Sequence, residues 1–162
     1  MAELREQLTQ LGFQQVTSYI NSGNLFFETD APRTSILTSL RDFFSATYPF
    51  VRHFSLIDQE SFLADMADLP DWWSGELARR DVLFFTEDMD RNAVIARVKE
   101  FSLGDEVVHF GKIGIYWGKY TEKEYLKTAY HKLLIKEPFY KHITIRNANT
   151  VAKILAILQS TQ

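Results

Sequence analysis

The stretch Glu106-Val107-Val108-His109-Phe110-Gly111-Lys112-Ile113-Gly114-Ile115-Tyr116-Trp117 organises the rest of the chain. It reads as two strands, Glu106–Phe110 and Ile113–Trp117, turning at Gly111-Lys112, where a glycine at the first turn position suits a type II′ hairpin. Strand alternation pairs Phe110 with Ile113 and Val108 with Ile115 on one face, and leaves His109, Gly114 and Tyr116 on the other. Before it lies a strand over 81–86, whose run Val82-Leu83-Phe84-Phe85 calls for burial on both faces. A helix follows, capped at Asp88 or Asp90 and running to about Glu100. After the hairpin, Thr121-Glu122-Lys123-Glu124 has the form of a capping box opening a helix to about Leu134. A strand over 142–146 and a helix over 148–158 complete the chain. Strand, helix, strand, strand, helix, strand is the split βαβ order of ferredoxin-like folds, here with an extra C-terminal helix.

The first half repeats this order without its opening strand. Leu4, Leu8 and Leu11 mark a helix ended by Gly12. Strands over 16–20 and 25–28 flank Asn21-Ser22-Gly23-Asn24, with Ile20 opposite Leu25, Ser18 opposite Phe27 and Tyr19 opposite Phe26. Pro32 opens a helix to about Tyr48, and 51–56 reads as a strand. Asp58 caps a short helix with Phe62, Leu63 and Met66 inward, and Pro70, Trp72 and Trp73 sit in a loop that pins onto the body. The expected fold is therefore α+β: two ferredoxin-like halves with antiparallel sheets, 1–75 and 76–162, the first lacking its first strand. That gap predicts an apolar groove or unpaired sheet edge beside 51–56.

Composition narrows the function. Hydrophobic residues make up 46% and charged residues 24% of the 162, as in ordinary folded domains. Cysteine is absent, which excludes disulfides, thiolate catalysis and thiolate zinc sites. The charged start and the lack of a long apolar run predict a cytoplasmic protein with no membrane segment. Net charge is −3, split as −9 over residues 1–110 and +6 over 111–162. Such a split fits two mutually attracting halves or subunits, a homodimer among them, better than an anion-binding face.

No nucleophile elbow, P-loop or Rossmann fingerprint occurs, and His53, His109, His131 and His142 lack metal-ligand spacing. We therefore expect no catalytic residue, metal or cofactor. Asp58, Glu60, Asp65, Asp68 and Asp71 read as a solvated acidic face. Two polar segments remain as ligand-binding candidates. Ser22-Gly23-Asn24 can form a backbone nest for an anion, or simply a turn. Arg146-Asn147-Ala148-Asn149-Thr150 lies at a strand-to-helix junction, where Asn147 is an N-cap, Arg146 is a candidate anion clamp, and Asn149 and Thr150 complete the cluster. The plain alternative is that these asparagines only shape the backbone. An open sheet face bearing Tyr19 and Phe26, or His109 and Tyr116, would stack nucleic-acid bases. A pI near 5.8 argues against that reading, and against a dedicated nucleic-acid binder.

Tyr19-Ile20-Asn21-Ser22-Gly23-Asn24-Leu25-Phe26-Phe27 and Thr144-Ile145-Arg146-Asn147-Ala148-Asn149-Thr150 together resemble the two signature segments of a bacterial family of uncharacterised proteins, domain of unknown function 1697. Elsewhere the resemblance covers nearly the whole chain. The family's usual opening strand, ending in Arg-Gly-Ile-Asn-Val-Gly-Gly, has no counterpart here, so the expectation is a late start with Met1 an internal methionine. The resemblance implies no particular activity. The functional expectation is a non-enzymatic cytoplasmic module binding a small anion or a protein partner. The alternative is an enzyme acting on a phosphorylated or nucleotide substrate, or a weak single-stranded nucleic-acid binder.

Overall fold

The computed structural model describes residues 2–19, 23–122 and 127–160. The chain forms two compact units, residues 1–52 and 53–162. The first contains α1 (Ala2–Gln10), β1 (Gln14–Tyr19), β2 (Asn24–Glu28) and α2 (Arg33–Thr47). Its β1 and β2 pair antiparallel as a two-stranded sheet. Leu8, Phe13 and Leu40 are its buried apolar residues among those described. Phe13 lies against Phe27 with ring centroids 4.3 Å apart, and Arg5 donates to Ser18 Oγ at 2.6 Å.

The first hairpin pairs one residue earlier on each strand than expected: Tyr19 faces Asn24, Ser18 faces Leu25 and Thr17 faces Phe26. A shift of two in the pairing keeps each side chain on its expected face, so Tyr19 and Phe26 share a face without being direct partners. Asn24 accounts for the difference. It belongs to the strand, is buried, and its Nδ2 donates to the Tyr19 carbonyl at 3.0 Å. Residues 51–56, expected as a strand, form none. Their polar groups are met by irregular contacts instead, with Val51 N donating to Tyr48 O and Leu56 N to Glu87 Oε1.

The pairing slips between Gln14 and Thr17, and Gln15 stands in the left-handed region at φ 53°. A β-bulge tolerates this conformation best when the residue is glycine. Gln15→Gly is expected to raise stability by roughly 0.5–1 kcal/mol, read from the midpoint of urea melts; an unchanged or lower midpoint would show the bulge to be unstrained.

The second unit contains α3 (Gln59–Ala67), a 3₁₀ turn at Asp71–Ser74, β3 (Arg79–Phe84), α4 (Arg91–Lys99), β4 (Glu106–Phe110), β5 (Gly114–Lys119), α5 (Ala129–Lys132), β6 (Thr144–Asn147) and α6 (Ala148–Ser160). The four strands form an antiparallel sheet in the order β4-β5-β3-β6. This is the ferredoxin-like order, with the first strand of the motif inside and its two halves interleaved. The protein is thus α+β with two antiparallel sheets. Val82, Leu83, Phe84 and Phe85 are all buried, as the apolar run requires.

One sheet face packs Leu83, Ile115 and Trp117 on Val94, Val98 and Phe101 of the α4 region and on Ala129 and Leu134. The other face is covered too. Phe62 of α3 stacks on Phe84 at 6.4 Å, and the Trp73 ring meets Tyr116 edge-on at 5.4 Å. α6 lies beside α3, with Gln59 Nε2 donating to the Leu158 carbonyl at 2.7 Å. Residues 53–75, read in sequence as part of the first half, thus pack on the sheet of the second unit.

Candidate functional site

Asp65 explains why the second unit is built this way. It sits on α3 one turn from Phe62 and is buried. Its carboxylate accepts from Lys112 N at 2.9 Å, Ile113 N at 3.1 Å and the Tyr116 hydroxyl at 2.9 Å. The β4–β5 turn is therefore held from outside. Phe110 faces Ile115 and Val108 faces Trp117, two residues wider than the expected register, and Gly111 does not adopt the positive φ of a type II′ turn. Gly111 is needed for room: a Cβ there would come within 2.3 Å of Asp65 Oδ2 and 2.7 Å of the Tyr116 ring. Desolvation and the neighbouring Asp65 push the Tyr116 hydroxyl far above its ordinary range. Tyr116 is fully buried and His109 half-buried, so the open stacking face expected at these residues is closed by α3 and Trp73. Asp65 is likewise not part of a solvated acidic face.

The sequence-predicted ligand residues divide between the two units. In the first, Gly23 takes a positive φ of 93° and Asn24 braces the turn, while Ser22 lies outside the described residues. Tyr19 and Phe26 are half-buried. In the second, Asn147 caps α6, its Oδ1 accepting from Thr150 N at 2.9 Å. Arg146 is half-buried, donates to the Ile145 carbonyl at 2.8 Å, and has its pKa lowered by desolvation. Asn149 is exposed. Asn24 and Asn147 thus each bond the backbone beside them.

A more developed polar site lies at the far end of the same sheet. Glu106 opens β4 and is buried; its carboxylate accepts from Trp117 Nε1 at 3.0 Å, Ala129 N at 2.9 Å and Tyr130 N at 3.1 Å. This fixes where α5 begins. Among the described residues the expected helix is represented by α5, capped by Thr128, whose Oγ1 accepts from His131 N at 3.0 Å. Glu124 of the expected capping box lies outside the described residues, and Thr121 instead donates to Asp105 Oδ2 at 2.9 Å. Lys119, the last residue of β5, is buried and bonds Asp105 Oδ1 through Nζ.

Above these groups opens a cleft of about 320 Å³, lined by Ser102, Asp105, Lys119, Thr121, Lys127 and Thr128 among others. Behind Glu106, Lys119 and Thr128 lies a cavity of about 10 Å³ bordered by Arg79, Asp81 and Tyr130. That is roughly the room of one water molecule. Sequence reading missed this site, although parity places Glu106 on the same face as the inward residues Val108 and Phe110.

Burial raises the Asp81 carboxyl above its ordinary value of 3.8, against the opposing pull of Tyr130 and Arg79. The folded state thus holds this proton more tightly than the unfolded chain, and the contribution to stability declines as pH rises from 3.8 through the folded-state value. Asp81→Asn is expected to melt no lower than wild type at neutral pH and to lose any advantage below that ordinary value, where both side chains are neutral. A neutral-pH melting temperature well below wild type would mean that Arg79 and Tyr130 outweigh desolvation.

Among the described residues, no group of three or more His, Asp or Glu side chains is placed to hold a metal ion. No helix among them is long and apolar enough to cross a membrane.

Fold and cleft define an α+β protein built on a ferredoxin-like sheet covered on both faces. The chain belongs to the DUF1697 family, described as a protein of unknown function, whose model matches residues 1–116. The match takes in Asp65, Asp105 and Glu106 and stops before Lys119. The chain is also similar to the solved structure of a conserved bacterial protein, SP0830, from Streptococcus pneumoniae. The two are 54% identical over 98% of this chain and 88% of that one, with a TM-score of 0.95. No curated protein matches the chain.

Proposed function

We propose that this is a non-enzymatic, cytoplasmic binding module that takes a small polar ligand in the cleft above Glu106 and Lys119. One observation carries the reading: a ligand-sized opening lined by hydroxyl and charged groups, over a floor whose carboxylate is already committed. A general base needs an accessible lone pair within reach of its substrate. Glu106 spends its oxygens on three N–H donors, and Asp105 is held by Lys119 and Thr121. Such groups support recognition better than proton transfer.

The test is a thermal-shift screen of phosphates, carboxylates, amino acids and nucleotides, with turnover assayed for every hit. The expected result is a compound that raises Tm, perturbs the amide resonances of Thr121 and Thr128, and is recovered unchanged. Turnover of a phosphorylated compound or nucleotide, lost in Arg146→Ala, would establish the enzymatic alternative instead.

A further inference from the structure

The cleft already holds one carboxylate, and it belongs to the chain itself. Lys119 carries its ammonium on a side chain only 8% exposed, whereas its partner Asp105 is 41% exposed. The two Asp105 oxygens are divided between two donors, Oδ1 to Lys119 Nζ and Oδ2 to Thr121 Oγ1. Together the ammonium and the hydroxyl form a fork that fits a carboxylate. They hold the Asp105 carboxyl below its usual range.

The arrangement is asymmetric. A buried ammonium requires an anion, because its own solvation is lost. An exposed carboxylate does not require the ammonium, because water serves it well. Asp105 is also placed to leave without disturbing the fold: Tyr120 N donates to its carbonyl at 3.2 Å, so the backbone stays while the side chain rotates.

We propose, on the reading that the cleft is a binding site, that its ligand is a small molecule bearing a carboxylate or phosphate group, and that this group replaces Asp105 on Lys119 and Thr121. Asp105 is then a built-in competitor that keeps the ammonium neutralised between binding events.

The experiment titrates isotopically labelled protein with sodium acetate and, separately, with inorganic phosphate, against sodium chloride at equal ionic strength. The readout is the amide shifts of Lys119 and Thr121. Asp105→Ala is expected to bind at least one of the two anions about tenfold more tightly than wild type, and adding Lys119→Met is expected to abolish the gain. Which of the two anions gains identifies the group. Asp105→Asn, which keeps the size of the side chain and drops its charge, should move affinity the same way by less, and serves if Asp105→Ala does not fold. Equal anion affinity in wild type and the Asp105 variants, or a gain that survives Lys119→Met, overturns the inference. If a neutral or cationic compound still shifts the cleft in wild type, the binding reading stands without it. If no compound shifts any cleft residue in either protein, the binding reading falls as well.

Discussion

Asp65→Ala is expected to remove about 3–5 kcal/mol of folding free energy. The carboxylate serves three donors, and two of them, the Ile113 amide and the Tyr116 hydroxyl, are buried. Taking it away leaves both without a partner, each at a cost of about 1–3 kcal/mol. It also opens a cavity beside Phe62. Tyr116→Phe removes only one donor and leaves the other two bonds, so it should cost about 1 kcal/mol. Urea melts of the two variants and their double mutant measure the coupling. An Asp65→Ala loss under about 1 kcal/mol would mean that the turn holds itself, contrary to the geometry.

Glu106→Ala has the second-largest expected effect, about 2–4 kcal/mol. It strips the Trp117 indole and the first two amides of α5 of their acceptor. The loss should be visible locally as well as globally. The near-ultraviolet signal of Trp117 should change, and the segment from Ala129 to Lys132 should lose exchange protection even under conditions where the sheet persists. Glu106→Gln keeps one acceptor oxygen and turns an NH₂ toward an existing donor, so it should fall between wild type and alanine. A Glu106→Ala protein that melts like wild type would falsify the claim that this carboxylate starts the helix.

These two residues also mark the limit of what the sequence disclosed. Local chemistry was legible. Asp58 and Asp90 cap α3 and α4 as their positions suggested, accepting from Ser61 N at 2.7 Å and Ala93 N at 3.1 Å. Asn147 caps α6 in the same way. The strand–helix–hairpin order gave the ferredoxin-like sheet, and the apolar run at 82–85 is its centre. What was not legible depends on groups distant in the chain. The type II′ turn was inferred from Gly111 alone, whereas the actual turn answers to Asp65. The helix start was inferred from Thr121 and Glu124, whereas the actual start answers to Glu106. In sequence Asp65 looks no different from Asp58, Glu60, Asp68 and Asp71. Only its helical phase with Phe62 places it inward, and that phase is easily discounted for an acidic residue. The placement of residues 53–75 was hidden for the same reason, since the α3 region packs on the sheet it braces. The cleft escaped notice because Asp105, Lys119 and Thr121 become neighbours only once β4 and β5 pair.

The bond from Asp65 to the β4–β5 turn also bears on how the chain reaches its fold. Hairpins usually close within microseconds from information inside their own turn. This one takes its register from a carboxylate 47 and 48 residues upstream, so its final form must wait for a long loop to close. The hairpin is thus disqualified as an early, self-sufficient nucleus. It should lock in at the step that docks α3, raising the contact order of the rate-limiting event. In native-state hydrogen exchange, the Ile113 amide should then open only with global unfolding and not by local fraying of the turn.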